Sequence, residues 1–151
     1  MTFLQSLSSA LLLLLSMTSF AADSPKTLDL AKAKQLAAKA AAFAQKKNWK
    51  MSIAIVNSEG NLIYFERMDG AFFGSIDAAL LKAKSSAAFE RPTKAFADDA
   101  NQGKAGRLSL NHVVAVEGGL PIILNGKVVG AIGASGAHAT EDEECAKAAL
   151  E

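Results

Sequence analysis

The chain has 151 residues, of which 50% are hydrophobic and 21% charged, and its formal net charge at pH 7 is +1. This length suits one domain with a core of its own, and a net charge so close to zero gives no sign of a nucleic-acid partner. The single cysteine, Cys145, excludes a disulfide within the chain.

The N-terminus has the pattern of a secretory signal peptide. Leu11–Leu15 form an unbroken apolar run, and small residues at the positions before a cleavage site end at Ala21. A membrane anchor is the alternative, but it would need about 20 apolar residues, and polar residues soon interrupt this run. We therefore predict a signal peptide over residues 1–21, a mature domain over 22–151, and a periplasmic or secreted protein.

The first half of the mature chain predicts two helices around a hairpin. Thr27 is expected to cap a helix that ends near Lys47, because the apolar residues between them recur at helical spacing. The turn sequence NSEGN between two apolar runs then predicts an antiparallel β-hairpin. Ser75 is expected to cap a second helix, which stops before Pro92 because the residue preceding a proline avoids helical angles.

The second half predicts strands and a last helix. Residues 93–111 are polar and suggest a surface excursion with one short helix, and the segments HVVAVEGG, LPIILN and KVVGAIGASG predict three more strands. Asn125-Gly126 is expected to join the last two, and Thr140 with Glu143 forms the pattern of a capping box for the final helix. The fold class predicted is α+β, with an antiparallel sheet of five strands and helices packed on it.

The glycines near the C-terminus match no phosphate-binding or nucleophile motif. Gly130, Gly133 and Gly136 are three residues apart, which differs from the dinucleotide fingerprint, and Ala137 occupies the position where a nucleophile elbow needs glycine. We expect Gly126 to form the hairpin turn. The other three are expected to let a helix, a neighbouring subunit or a flat ligand approach the backbone.

No catalytic constellation is visible in the sequence. His112 and His138 are isolated from each other and from any metal-binding motif. The segment ERMDGAFFGSID places Arg67 and Asp69 at the junction of a strand and a helix start, where a carboxylate ligand would be stabilised. An ion pair between Arg67 and an aspartate that merely fixes the turn explains the same residues.

Taken together, these segments resemble the GlcG/HbpS family, also called the haem-degrading domain family, which is related to the PduO C-terminal domain. The similar segments are IAIVNSEGNLIYFERMDGA, SIDAALLKAKSSAAFERPT, GGLPI, GKVVGAIGASG and EDEECAKAAL. The resemblance implies a profilin-like fold with a five-stranded antiparallel sheet and assembly into homo-oligomers. It also implies haem as the cofactor, bound outside the cytoplasm in exported relatives.

The resemblance also suggests a set of ligand-binding residues. His112 is the first candidate for the haem iron ligand and His138 the second, with Met68, Tyr64 and Thr93 as alternatives. The expected contacts to the rest of the ligand are Arg67, Asp69, Arg91, Thr93, Gly118 and Gly119, although Arg91 would serve equally well to cap a helix end.

We therefore expect an exported haem-binding protein that captures, buffers or senses haem with little or no turnover. One alternative is an enzyme, which would either degrade haem or act on a small hydroxy acid through Arg67 and Asp69. A non-catalytic oligomeric accessory protein is the other.

Overall fold

Residues 27–151 are described by the structure, a computed structural model, and the predicted signal peptide lies outside them. Four α-helices, one 3-10 helix and four strands follow one another within this range. They are α1 (Leu30–Lys46), β1 (Ser52–Asn57), β2 (Leu62–Arg67), α2 (Ser75–Phe89), α3 (Lys94–Asn101), the 3-10 helix (Ala105–Ser109), β3 (Gly119–Leu124), β4 (Lys127–Ser135) and α4 (Ala139–Leu150). Across residues 27–151, no helix has the length and apolar character needed to cross a membrane.

The sheet is antiparallel throughout, with the strand order β2-β1-β4-β3. The α+β prediction is thereby confirmed, but the predicted five strands are wrong, because HVVAVEGG forms no strand before Gly119. His112 has a left-handed φ of 71°, and the Val114 N–H donates to the Ser85 hydroxyl at 3.0 Å instead of to a neighbouring strand. The valine-rich part of this segment therefore follows an irregular path. The profilin-like description stays a prediction.

Helices cover both faces of the sheet. α1 and α4 pack on the face that carries the isoleucines Ile53, Ile55 and Ile132, whereas α2 packs on the other face through alanines. At Gly133 a β-carbon would collide with the backbone of α2, at the Ala79 carbonyl and 2.6 Å from the Ala83 nitrogen. The prediction that this glycine admits a close neighbour is confirmed, and the neighbour is a helix.

The turn between β3 and β4 follows the sequence pattern. Asn125 and Gly126 have φ values of 51° and 76°, as a two-residue hairpin turn of this type requires.

The predicted helix caps are wrong by one to two residues. Asp29, not Thr27, caps α1 by accepting the Lys32 N–H at 2.7 Å. Gly74 precedes α2, and the predicted cap Ser75 is its first residue. α4 begins after His138, whose N–H donates to the Glu141 carboxylate at 2.9 Å, so this contact replaces the expected box of Thr140 and Glu143.

Candidate functional site

An apolar groove opens where α2, the irregular segment after the 3-10 helix and the start of α4 meet. Its volume is about 330 Å³, which falls at the lower end of the range for small-molecule sites. Two large side chains in its walls are half exposed, Leu81 at 52% and Val116 at 45%. The lining consists of apolar walls around three polar residues: Ala78, Leu81, Lys82, Val114, Val116, Ser135, Ala137, Ala139 and Asp142.

An ion pair lies buried in the lining of this groove. Lys82 Nζ is 2.6 Å from Asp142 Oδ2, and both side chains are less than 5% exposed. The same ammonium donates to the Ala134 carbonyl at 3.1 Å, and Asp142 Oδ1 accepts the Ala137 N–H at 3.0 Å. Burial raises the pKa of Asp142, and the neighbouring ammonium opposes this rise. The pair carries no net charge, so the inner end of the groove is polar but neutral.

Three of the predicted ligand-binding residues lie together behind this ion pair. Thr93 and Gly119 exchange hydrogen bonds: the Gly119 N–H donates to the Thr93 hydroxyl at 3.0 Å, and the Thr93 N–H donates to the Gly119 carbonyl at 2.9 Å. The Gly118 N–H donates to the Glu143 carboxylate at 3.2 Å, and burial raises the pKa of Glu143. Thr93 is fully buried, with its hydroxyl already engaged by Gly119, so its contacts here are structural.

The other three predicted ligand-binding residues lie elsewhere. The Arg67 guanidinium donates twice to the Ala71 carbonyl, at 2.6 and 3.2 Å, so a backbone group and not Asp69 is its hydrogen-bond partner. Asp69 lines a separate cleft of about 520 Å³ between α1 and β2. Arg91 donates to the carbonyl of Phe89, the last residue of α2, at 3.3 Å. Arg67 therefore fixes a turn and Arg91 caps a helix end.

The two histidines have different surroundings. His112 is exposed and lines a small pocket of about 220 Å³ beside Glu59 and Lys84. His138 is exposed at the start of α4, and its two chain neighbours, Ala137 and Ala139, both line the apolar groove. His138 itself does not line the groove, but it lies at the rim, between two residues that do. In the described part of the chain, no three histidine, cysteine, aspartate or glutamate side chains cluster closely enough to hold a metal ion.

The remaining alternatives for an iron ligand are engaged within the fold. The Tyr64 hydroxyl donates to Glu66 at 3.2 Å, and its pKa is raised by burial and by that carboxylate. Met68 packs against the main core. Their contacts leave the histidines as the more accessible candidates.

Sequence reasoning missed the Lys82–Asp142 pair. A signal was present, because Lys82 falls between Ala79 and Ala83 on the alanine-rich face that packs against the sheet. A lysine on a buried face needs an acidic partner, but the spacing of residues in α2 does not reveal an aspartate 60 residues further along the chain.

The fold and the groove define an α+β domain that carries an apolar, ligand-sized groove, and the comparisons identify the family. The model for the family named "Haem degrading protein HbpS-like" matches residues 28–151, so the chain belongs to the HbpS-like family. The protein GlcG of Escherichia coli strain K12 is 33% identical over 92 residues, which are 61% of this chain and 69% of GlcG.

Two solved structures are similar over most of the domain. The crystal structure of HbpS has a TM-score of 0.76 and 30% identity, covering 82% of this chain and 87% of HbpS. The crystal structure of a PduOC:haem complex has a TM-score of 0.74 and 26% identity, covering 82% of this chain and 93% of PduOC. The resemblance to the GlcG/HbpS family is thereby confirmed.

Proposed function

We propose that the protein is an exported haem-binding protein that captures, buffers or senses haem with little or no turnover. The observation that carries this proposal is the similarity to PduOC, whose crystal structure contains haem, over 82% of the chain. Export rests on the predicted signal peptide over residues 1–21, which would deliver the domain over 22–151 to the periplasm or outside the cell.

The apolar groove fits one edge of a haem. The half-exposed side chains of Leu81 and Val116 would lie against the macrocycle and be covered by it, which removes apolar surface from water. The neutral Lys82–Asp142 pair adds no net charge to the inner end, so the propionates are expected to point outward. A groove of about 330 Å³ takes only part of the ligand.

His138 is the iron ligand that this placement favours. It stands at the groove rim, and bound haem supplies an iron that accepts a neutral imidazole nitrogen. His112, the first candidate from the sequence, lines a different pocket with charged neighbours. Our proposal therefore reverses the order of the two histidines.

Homo-oligomers are part of the proposal. Phe72 and Phe73 project from the turn before α2 and are 56% and 79% exposed. Aromatic side chains are enriched at contacts between protein chains, and two adjacent exposed ones favour such a contact. A second copy of this chain is the partner we expect for them.

Turnover of haem is the second candidate, and the name of the matching family favours it. The other enzymatic alternative, a small hydroxy acid held by Arg67, has less support, because the guanidinium already donates twice to the Ala71 carbonyl.

A hemin titration of the purified mature protein tests the proposal. We expect a stoichiometric shift of the Soret band, and no shift at micromolar protein would refute haem binding. Val116→Asp places a charge in the groove wall and should weaken binding at least tenfold, equal to about 1.4 kcal/mol. The matched control is Ile123→Asp, because Ile123 is similarly exposed, at 57%, but lies on β3 outside the groove.

Two further measurements assign the ligand and detect turnover. His138→Ala should alter the Soret position, whereas His112→Ala should not, and the opposite result would restore His112 as the ligand. Loss of the Soret band after addition of a reductant or peroxide would show that haem is degraded and would favour the enzymatic candidate.

A further inference from the structure

The buried ion pair joins three separate elements at the end of β4. Lys82 belongs to α2 and Asp142 to α4, and between them runs the β4–α4 connection, residues 136–138. Lys82 Nζ holds the Ala134 carbonyl on one side of this connection, and Asp142 Oδ1 holds the Ala137 N–H within it. One ion pair thus fixes the backbone both before and inside the connection.

Packing alone does not explain a charged pair at this position. Removing two charges from water costs several kcal/mol per ion, and well-packed apolar residues of similar volume often stabilise a fold as much or more. An apolar pair, however, offers neither a donor for the Ala134 carbonyl nor an acceptor for the Ala137 N–H. The two backbone contacts are therefore what the charged side chains add.

The connection ends at His138, whose backbone N–H and carbonyl both form hydrogen bonds. Its N–H donates to Glu141, and its carbonyl accepts the Asp142 N–H at 2.8 Å. Asp142 thus binds two consecutive residues. Its carboxylate accepts the Ala137 N–H, and its own backbone N–H donates to the His138 carbonyl.

We propose that Lys82 and Asp142 are positioning residues that clamp the β4–α4 connection and so set where His138 stands at the groove rim. The role of His138 toward iron rests on the proposed function, whereas the clamp on the backbone does not.

The variant that tests the clamp removes both charges together. Lys82→Met or Asp142→Asn alone would leave an unpaired or mismatched group in the interior and risk loss of the fold. The double variant Lys82→Met with Asp142→Leu leaves no unpaired charge in the interior, and such paired replacements are often tolerated. Arg107→Met with Asp99→Leu is the matched control, because that pair is similarly close, at 2.8 Å against 2.6 Å, but lies on the surface between α3 and the 3-10 helix.

Hydrogen exchange of the haem-free protein gives the first readout. The Ala137 amide loses its carboxylate acceptor in the double variant and should exchange about tenfold faster or more, because hydrogen bonds to charged groups are among the strongest in proteins. The amide of Ala54, inside the central strand β1, is the internal reference and should be unchanged. Unchanged exchange at Ala137, or acceleration equal to that at Ala54, would overturn the clamp.

The haem spectrum gives the second readout. If the clamp positions His138, the double variant should show a Soret band and an electron paramagnetic resonance signature that differ from those of the wild type, and the control pair should not. Faster exchange at Ala137 with an unaltered spectrum would overturn the link to His138. If the wild type binds no hemin, the proposed function fails, and the exchange experiment still decides whether the clamp exists.

Discussion

Gly133→Ala should destabilise the fold strongly, because the added methyl group meets backbone instead of a movable side chain. A β-carbon at Gly133 would lie 2.6 Å from the Ala83 nitrogen, and it would collide with the Ala79 carbonyl as well. Ordinary contact between heavy atoms needs about 3.5 Å or more, so α2 would have to retreat from the sheet by about 1 Å.

The free-energy cost arises because α2 would lose part of its packing against the sheet. Ala79 and Ala83 are fully buried against the sheet, and a retreat of the helix opens gaps along the whole contact. Overpacking of a well-packed core costs about 1–3 kcal/mol, and a backbone obstacle puts this case near the upper end. Alanine has less conformational entropy than glycine in the unfolded chain, and this offsets about 0.4–1 kcal/mol of the cost. We expect a net loss of about 2–2.5 kcal/mol in the free energy of unfolding.

Equilibrium unfolding in urea, followed by circular dichroism, measures this loss. Gly106→Ala is the matched control, because a β-carbon at Gly106 meets no atom within 4 Å and should be neutral or slightly stabilising. If Gly133→Ala changed the free energy of unfolding by less than about 0.5 kcal/mol, the close approach of α2 to β4 would be wrong.

Three further predictions concern buried polar groups. Burial raises the pKa of Cys145 to about 12. Its thiol should therefore not react with a disulfide reagent near pH 8 in the folded protein, and should react once denaturant unfolds the chain. A reaction in the native state would contradict the burial of this thiol. Burial also raises the pKa values of Asp142 and Glu143 above 3.8 and 4.5, so the folded state binds protons more tightly than the unfolded state. Their contribution to stability should therefore fall as the pH rises through the raised values; urea unfolding at several pH values checks this, and Glu143→Gln should flatten the trend. Thr93→Val removes the hydroxyl that accepts the Gly119 N–H and should lower the free energy of unfolding by about 1–3 kcal/mol; an unchanged urea midpoint would show that water replaces the hydroxyl.

The elements that the sequence predicted well are those with local signals. The hairpin around NSEGN and the turn at Asn125-Gly126 depend on residues adjacent in the chain, and the structure has both. The prediction of a fifth strand was wrong because its local signal, a valine-rich run, lies in a segment where the Val114 N–H donates to the Ser85 side chain. No pattern within the segment reveals that distant partner.

The candidate site was less predictable than the fold, for a related reason. Thr93, Gly118 and Gly119 do lie together beside the groove, but the charges at its inner end come from Lys82 and Asp142, which are far apart in the sequence. Arg67 was predicted from its place at the junction of a strand and a helix, and Arg91 from the family resemblance; each guanidinium donates to a nearby backbone carbonyl. A sequence shows which side chains are charged, whereas the folded structure determines which of them can still bind a ligand.

The outer edge of β3 has a consequence for how this sheet meets other chains. The register of β3 on β4 pairs Gly118 with Ala134 through a hydrogen bond, so Gly119 and Pro121 turn their backbone groups outward. Thr93 already forms hydrogen bonds with both the N–H and the carbonyl of Gly119, and Pro121 has no N–H to donate. A foreign strand would therefore find no continuous ladder of hydrogen-bonding groups to extend, which protects the sheet against β-type aggregation at this edge.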